Sequence, residues 1–311
     1  MPPPSGPFAA RRRRTSAMIS RRSALALAVS AGLLALVLWV ADVGAIDLSA
    51  IRPVLLLPAV AAYVAVLALR GAQLRLLAPP TGAGHGRWVA LAGRHQLVFI
   101  LSPSGAGDLA FPLLAKRMVG LATVPGAALI AGARLRDICA VLGLGCAGLA
   151  GTGHVPLLAG AGAAVCCAAL YFSDVTVALA GRLLRRLRKV PPPEPAQFAP
   201  TRLLAALLTL LLWLTASGGI MAGFAAAGYP LGPFEAWVML AGLNVAGALA
   251  LSLAGLGVAE AGAAGVLVFL GMPMAEAAAL AIVARPLLLL SNAAASGVIE
   301  AVTRLTGRAL A

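Results

Sequence analysis

The chain has 311 residues, of which 61% are hydrophobic and only 11% charged, and its mean hydropathy is +0.97. A soluble domain carries about a quarter charged residues, so water is not the main solvent of this fold. The net charge of +14 is gathered beside apolar runs, at Arg11 to Arg14 with Arg21 and Arg22, at Arg182 to Lys189, and more weakly at Lys116 and Arg117; this is the positive-inside pattern, and without aromatic and basic interleaving no nucleic-acid partner is expected.

Cys139, Cys146, Cys166 and Cys167 lie in apolar stretches without a Cys-x-x-Cys pair and read as small packing residues. His85, His95 and His154 are scattered without ligand spacing, so the sequence points to no metal and no cofactor.

In chain order, residues 1–22 are rich in Pro and Arg and read as a disordered, basic, cytoplasmic N-terminus. Ser23 to Ala41 is a run of 19 uncharged residues, close to the roughly 20 that cross a bilayer core. A cleaved signal is the alternative: "SRRSALA" hints at a twin-arginine motif and Val43 to Ala45 at a cleavage site. A signal's apolar region is shorter, however, at about 7–15 residues. Pro53 to Leu69 is a second uncharged run, and Arg70, Arg75, Arg87 and Arg94 after it mark the cytoplasmic side. Trp88 to Leu101 is short, holds Arg94 and His95, and looks like half a crossing. A Ser-Pro-Ser-Gly-Ala-Gly break follows, then a second short piece, "DLAFPLLAKR".

A long helix is expected from Gly120 to Ala150 and another from Val155 to Ala180, with a turn at Gly151 to Pro156 between them. The basic, proline-stopped stretch 181–202 is a loop between two halves, 51–180 and 203–300. Leu203 to Ala227 crosses again, and Gly228 to Pro233 turns the chain. Phe234 to Ser252 leads to another break, Ala261 to Leu270 is short, and Met274 to Glu300 is the last helix. The transmembrane region thus runs over 23–305, with a tail at 306–311.

The two breaks share a pattern. "LSPSGAG" at Leu101 to Gly107 and "LSLAGLG" at Leu251 to Gly257 both read Leu-Ser-x-x-Gly-x-Gly. Aligning Gly120 with Gly271 then places Ala128 and Leu129 on Ala279 and Leu280, and Ala133 and Arg134 on Ala284 and Arg285. Internal duplication explains this; chance matching in an Ala- and Leu-rich chain is the competing explanation. Non-helical backbone in lipid leaves polar groups unpaired, and survives only inside protein or along a water-filled cavity. Short apolar pieces around Gly105 and Gly107, and around Gly255 and Gly257, therefore read as re-entrant hairpins with these glycines at their tips. Two ordinary crossings joined by a glycine turn are the alternative.

With six transmembrane helices and two re-entrant hairpins, both termini and the loop 181–202 fall on the cytoplasmic side. The hairpins then enter from opposite faces, making an inverted repeat, a frequent architecture of secondary transporters. Full crossings by every short piece leave the same loops inside, so charge does not separate these two arrangements. One crossing per broken segment throws loop 181–202 outside and ranks last.

Arg134, Asp137 and Arg285 lie well inside apolar helices. Thirteen residues of helix, counted from Gly120, span roughly 20 Å, which places Arg134 deep. Arg134 and Asp137 are spaced to pair on one helix face. Ionisable groups at this depth cost about 2.5–3.5 kcal/mol or more and are functional candidates; an ion pair that only fixes helix packing is the alternative. Arg136 points elsewhere on the helix and is expected to snorkel. Asp108 and Glu260, just past the two tips, either cap the following short helices or face a cavity and handle a polar group. With arginines nearby, that group is zwitterionic or anionic, such as a phosphate head group.

The stretches "PSGAGDLA…AKRMVGLATVPGAALIAGARLRD" and "GLGVAEAG…GMPMAEAAALAIVAR" resemble the transmembrane region of lysylphosphatidylglycerol synthases, a flippase-like family of integral membrane proteins, over roughly 23–305. The family pattern falls on Pro103, Gly107, Asp108 and Leu109, on Arg134 and Asp137, and on Gly255, Leu256, Gly257, Val258, Glu260 and Ala261. Ala133 stands where the family usually has glutamate, and Ala259 and Phe111 stand where arginine is frequent, so shared head-group chemistry does not transfer directly. The soluble domain that transfers the aminoacyl group in the full synthases is not among these residues, so the resemblance implies no aminoacyl transfer here.

The expected fold is all-α, a polytopic helical membrane protein of the bacterial inner membrane. The expected function is a transporter or flippase of a polar-headed lipid, without nucleotide hydrolysis and without enzymatic turnover. Asp108, Arg134, Asp137, Glu260 and Arg285 are expected to line the path. The alternative is a non-transporting scaffold that presents lipid to a partner synthase or glycosyltransferase. An intramembrane enzyme is weakest, because no nucleophile–base pair or metal cluster is present.

Overall fold

Where lipid replaces water, an apolar run satisfies its backbone N–H and C=O groups within its own helix, and the apolar runs among the described residues do so. The computed structural model describes residues 28, 31–41, 49, 51–102, 106–173, 175, 201–249 and 257–309, and these form helices and no strand. The segment 1–22, Val43 to Ala45, loop 181–202 up to its last two residues, and the hairpin-tip glycines Gly105 and Gly255 lie outside the described residues.

Helix α1 spans Ala31–Val40. A single 3-10 turn, Pro53–Leu55, opens α2 (Leu56–Leu77), followed by α3 (His85–Leu101), α4 (Ala106–Val119), α5 (Thr123–Gly151) and α6 (Pro156–Tyr171). After the loop come α7 (Arg202–Ala226), α8 (Pro233–Leu249), α9 (Val258–Phe269) and α10 (Met274–Ala309). Among the described residues, three stretches are long and apolar enough to cross a membrane: Pro53–Leu77, Arg202–Ala226 and Met274–Thr306. Helix α5 is 29 residues long, but Arg134, Arg136 and Asp137 interrupt its apolar character. The all-helical polytopic architecture expected from composition is the one observed.

Helix α2 continues past Arg70 to Leu77, because no helix breaker comes before Pro79 and Pro80. Arg70 therefore belongs to the body of the helix and not to its flank. The last helix likewise runs on from Glu300 to Ala309.

Helices α2 and α7 lie along each other at the centre of the bundle. Helix α10 packs on α2, α3 and α9, while α5 packs on α4, α6 and α8. The contact faces are rich in alanine: Ala277, Ala278, Ala281, Ala284 and Ala295 of α10 are all buried. Small residues let helix backbones approach closely, which replaces the hydrophobic drive that lipid removes. Large apolar side chains such as Leu109, Leu157, Leu158 and Leu290 point outward, the natural direction when the surroundings are acyl chains.

The helices on either side of each glycine break pack against each other. In the first, α3 packs against α4: His95 meets Phe111 with ring centroids 5.1 Å apart, and a Cβ at Gly107 would lie 2.6 Å from the Cα of Phe99. In the second, α8 packs against α9, with Gly242 opposite Val266 and Ala246 opposite Gly262. In each case the residue number rises on one leg as it falls on the other, so both are antiparallel helical hairpins. At about 1.5 Å per residue, α4 is about 21 Å long and α9 about 18 Å, against a hydrocarbon core of about 30 Å. Each hairpin leaves through a glycine with positive φ, Gly120 at 73° and Gly271 at 100°, a conformation that glycine adopts without the steric cost borne by other residues.

Candidate functional site

The charged side chains gather where the first hairpin meets α5. Asp108 sits in the first turn of α4. Its carboxylate accepts two hydrogen bonds from Arg134 of α5, from Nε to Oδ2 and from Nη2 to Oδ1, both at 2.8 Å. This is the bidentate geometry in which guanidinium and carboxylate bind most strongly. The Arg134 guanidinium also lies over the ring of Phe99 on α3, 4.9 Å from its centroid. His95 Nε2, from the same helix, is 3.2 Å from Asp108 Oδ1.

One turn along α5, Asp137 joins the cluster to the centre of the bundle. Arg134 Nη1 is 3.5 Å from Asp137 Oδ2, the helix-face pairing expected from their spacing. Arg70 of α2 donates to Asp137 at 2.9 Å, and the indole N–H of Trp213 on α7 donates to it at 2.9 Å. Arg70 also donates to Gln73 at 2.6 Å, and Gln73 donates to Thr209 at 2.6 Å. Thr209 returns its hydroxyl proton to the Ala205 carbonyl at 2.7 Å. Five helices thus converge on two carboxylates and two guanidiniums.

Exposure is graded along this chain of contacts. The side chains of Arg134 and Asp108 are 33% and 27% exposed, while those of Arg70 and Asp137 are 15% and 6% exposed. The Asp108–Arg134 pair is the accessible end, and the Asp137–Arg70 pair is the anchored end. Pro112 in α4 removes the N–H that would otherwise bond to the Asp108 carbonyl, which adds a backbone acceptor at the accessible end.

Asp108 and Glu260 play different local parts. Asp108 turns to Arg134 and His95. Glu260 is buried and accepts the backbone N–H of Gly257 at 2.6 Å, which caps α9. Arg285 of α10 lies within electrostatic reach of Glu260 and of Tyr63 on α2. So the five residues singled out from sequence fall into two groups: Asp108, Arg134 and Asp137 in one hydrogen-bonded network, and Glu260 and Arg285 within electrostatic reach of each other elsewhere. Arg134 stands eleven residues into α5 and Arg285 eleven residues into α10. Of the tip glycines within the described residues, Gly107 is the close-contact position under Phe99, and Gly257 begins α9 with φ 83°.

Arg136 does not snorkel; it is buried, because its side of α5 faces protein. Sequence reasoning also missed Arg70, His95, Gln73, Thr209 and Trp213 as parts of the network. Only Arg70 and Gln73 carried a usable signal, their spacing of three on a helix that continues past Arg70. A separate clamp joins α3 to α10: Arg94 binds Glu300 through Nε at 2.8 Å and Nη2 at 3.1 Å, and Arg304 adds a bond at 2.9 Å. Among the described residues, no group of three or more His, Cys, Asp or Glu gathers as metal ligands.

A family model described as "Lysylphosphatidylglycerol synthase TM region" matches residues 23–295. No curated protein and no solved structure matches the chain.

Proposed function

The chain belongs to the lysylphosphatidylglycerol synthase TM region family, an integral membrane family tied to lipid handling, and we propose that it moves a polar-headed lipid across the bilayer without nucleotide hydrolysis. The observation that carries this reading is the Asp108–Arg134 pair: a partly exposed ion pair held between α4 and α5 in an otherwise apolar helical fold. A lipid phosphate presents the same planar acceptor edge to a guanidinium as a carboxylate does, so it can exchange with Asp108 for Arg134. Phe99 holds the guanidinium in place during that exchange, and the Asp137–Arg70 pair keeps the rest of the network assembled.

In this reading the two hairpins enter from opposite faces of a bacterial inner membrane and the two halves form an inverted repeat. The residues past each exit glycine, Gly120 and Gly271, lead to Arg134 and Arg285 at equal depth, and the halves rock about the central α2–α7 pair. The test is reconstitution into phosphatidylcholine vesicles carrying a trace of fluorescent phosphatidylglycerol, with outer-leaflet fluorescence quenched by dithionite. The wild-type chain is expected to speed the loss of inner-leaflet fluorescence over empty vesicles. Arg134→Gln is expected to slow it about tenfold or more, the equivalent of one charge-assisted contact of about 1.5–3 kcal/mol. Equal rates for the wild type and empty vesicles would remove the reading.

One observation favours a scaffold that presents lipid to a partner enzyme. The network is charge-balanced, two arginines against two aspartates, and each of the four side chains is already engaged by an opposite charge. Co-purification of a lipid synthase or glycosyltransferase, with no lipid movement by the chain alone, would select that reading.

A further inference from the structure

Two cationic or proton-binding side chains meet Asp108, and both approach the same oxygen. Arg134 Nη2 donates to Asp108 Oδ1 at 2.8 Å, and His95 Nε2 lies 3.2 Å from that Oδ1. The two also share an aromatic neighbour: Phe99 lies under the Arg134 guanidinium at 4.9 Å and 6.4 Å from the His95 ring. The other ring neighbour of His95 is Phe111, met edge-on. With His95 neutral, Arg70, Arg134, Asp108 and Asp137 sum to zero. With His95 protonated, the same cluster carries one positive charge, and the imidazolium competes with Arg134 for Oδ1. The charged groups facing His95 are Asp108 from α4, Arg134 from α5 and Arg70 from α2. From α10, Glu300 is bound to Arg94, next to His95 in sequence.

We propose that His95 is a proton-binding positioning residue for the Arg134 site: its protonation draws Asp108 away and leaves Arg134 to an anionic phosphate group. This rests on Asp108–Arg134 being the lipid site, as proposed above, and supplies a proton-coupled reason for loading and release. Linkage makes the effect reciprocal. Phosphate binding strengthens as pH falls through the His95 titration, by at most about tenfold per pH unit for one proton, and bound phosphate raises the proton affinity of His95.

The test uses the full chain in nanodiscs, with its histidines labelled with nitrogen-15. The chain has only three histidines, His85, His95 and His154, so His85→Gln and His154→Gln assign His95 by elimination without disturbing the network. The His95 resonance is titrated with dioctanoyl phosphatidylglycerol, with dioctanoylglycerol, and with inorganic phosphate. The expected result is a shift of the His95 titration to higher pH with phosphatidylglycerol and none with dioctanoylglycerol. An equal shift with inorganic phosphate supports the linkage and identifies free phosphate as the ligand. A His95 titration indifferent to both phosphate sources overturns the proposal. Vesicle assays separate this from the transport reading: a phosphate-linked His95 without lipid movement leaves the inference standing and removes transport. Lipid movement with the same rate from pH 8 to pH 5 in both the wild type and His95→Gln does the reverse.

Discussion

Asp137→Asn changes one charge at the anchored end of the network and little else. Asparagine keeps the size of aspartate, and its side-chain oxygen still accepts from Trp213 Nε1, which stands 2.9 Å from Asp137 Oδ1. What is lost is the negative charge between Arg70 at 2.9 Å and Arg134 at 3.5 Å. The Asp137 side chain is 6% exposed and that of Arg70 only 15%, so solvent does little to compensate. Breaking a buried pair by neutralising one partner costs about 3–5 kcal/mol, a shift of at least two orders of magnitude in the folding equilibrium. The assay is reversible unfolding of the purified chain in mixed micelles, followed by tryptophan fluorescence and circular dichroism. Arg70→Gln combined with Asp137→Asn removes both charges, and the double variant is expected to be more stable than the two single costs imply, by about 0.5–3 kcal/mol. A cost below about 1 kcal/mol for Asp137→Asn, with no coupling to Arg70, would refute the reasoning that this pair anchors five helices.

The other expectations are local. Glu260→Ala removes the acceptor of the Gly257 N–H and should cost about 0.5–2 kcal/mol, read as faster amide exchange confined to the first turn of α9. Gly107→Ala puts a Cβ 2.6 Å from the Phe99 backbone and should cost about 1–3 kcal/mol by overpacking, whereas Gly86→Ala, exposed in the first turn of α3 with nothing within 4 Å, should be neutral or slightly stabilising by the same unfolding assay. Gly271→Ala forces alanine to φ near 100°, and is expected to lower stability by about 1–3 kcal/mol.

Helix type and position were legible because each depends on local hydrophobicity: the runs that became α2, α5, α7 and α10 needed no tertiary information. Gly120 and Gly271 were legible as an aligned pair, but not as turns: the helix expected from Gly120 begins at Thr123, after a glycine whose positive φ no sequence pattern marked. Arg134 with Asp137 was legible because helix spacing sets which side chains meet. Arg70 was not, because counting arginines as membrane flanks assumes that the helix has already ended, and here it runs on to Leu77. His95 and Trp213 stayed hidden for another reason: their partners come from other helices, 13 and 76 residues away in sequence for Asp108 and Asp137, and no periodicity encodes that meeting. Glu260 shows the opposite case. Its place three residues after Gly257 is a capping spacing, and this local reading accounts for the contact that forms.

The most direct test asks where the first hairpin ends. With the four native cysteines replaced by alanine, single cysteines at Ala83, before α3, and at Ser102, after it, are exposed to a membrane-impermeant thiol reagent added to one face of sealed vesicles at a time. The account requires Ala83→Cys to react from the cytoplasmic face and Ser102→Cys to react from that same face, through water reaching the Asp108–Arg134 pair. Reaction of Ser102→Cys from the opposite face would mean that α3 spans the bilayer, and would contradict it.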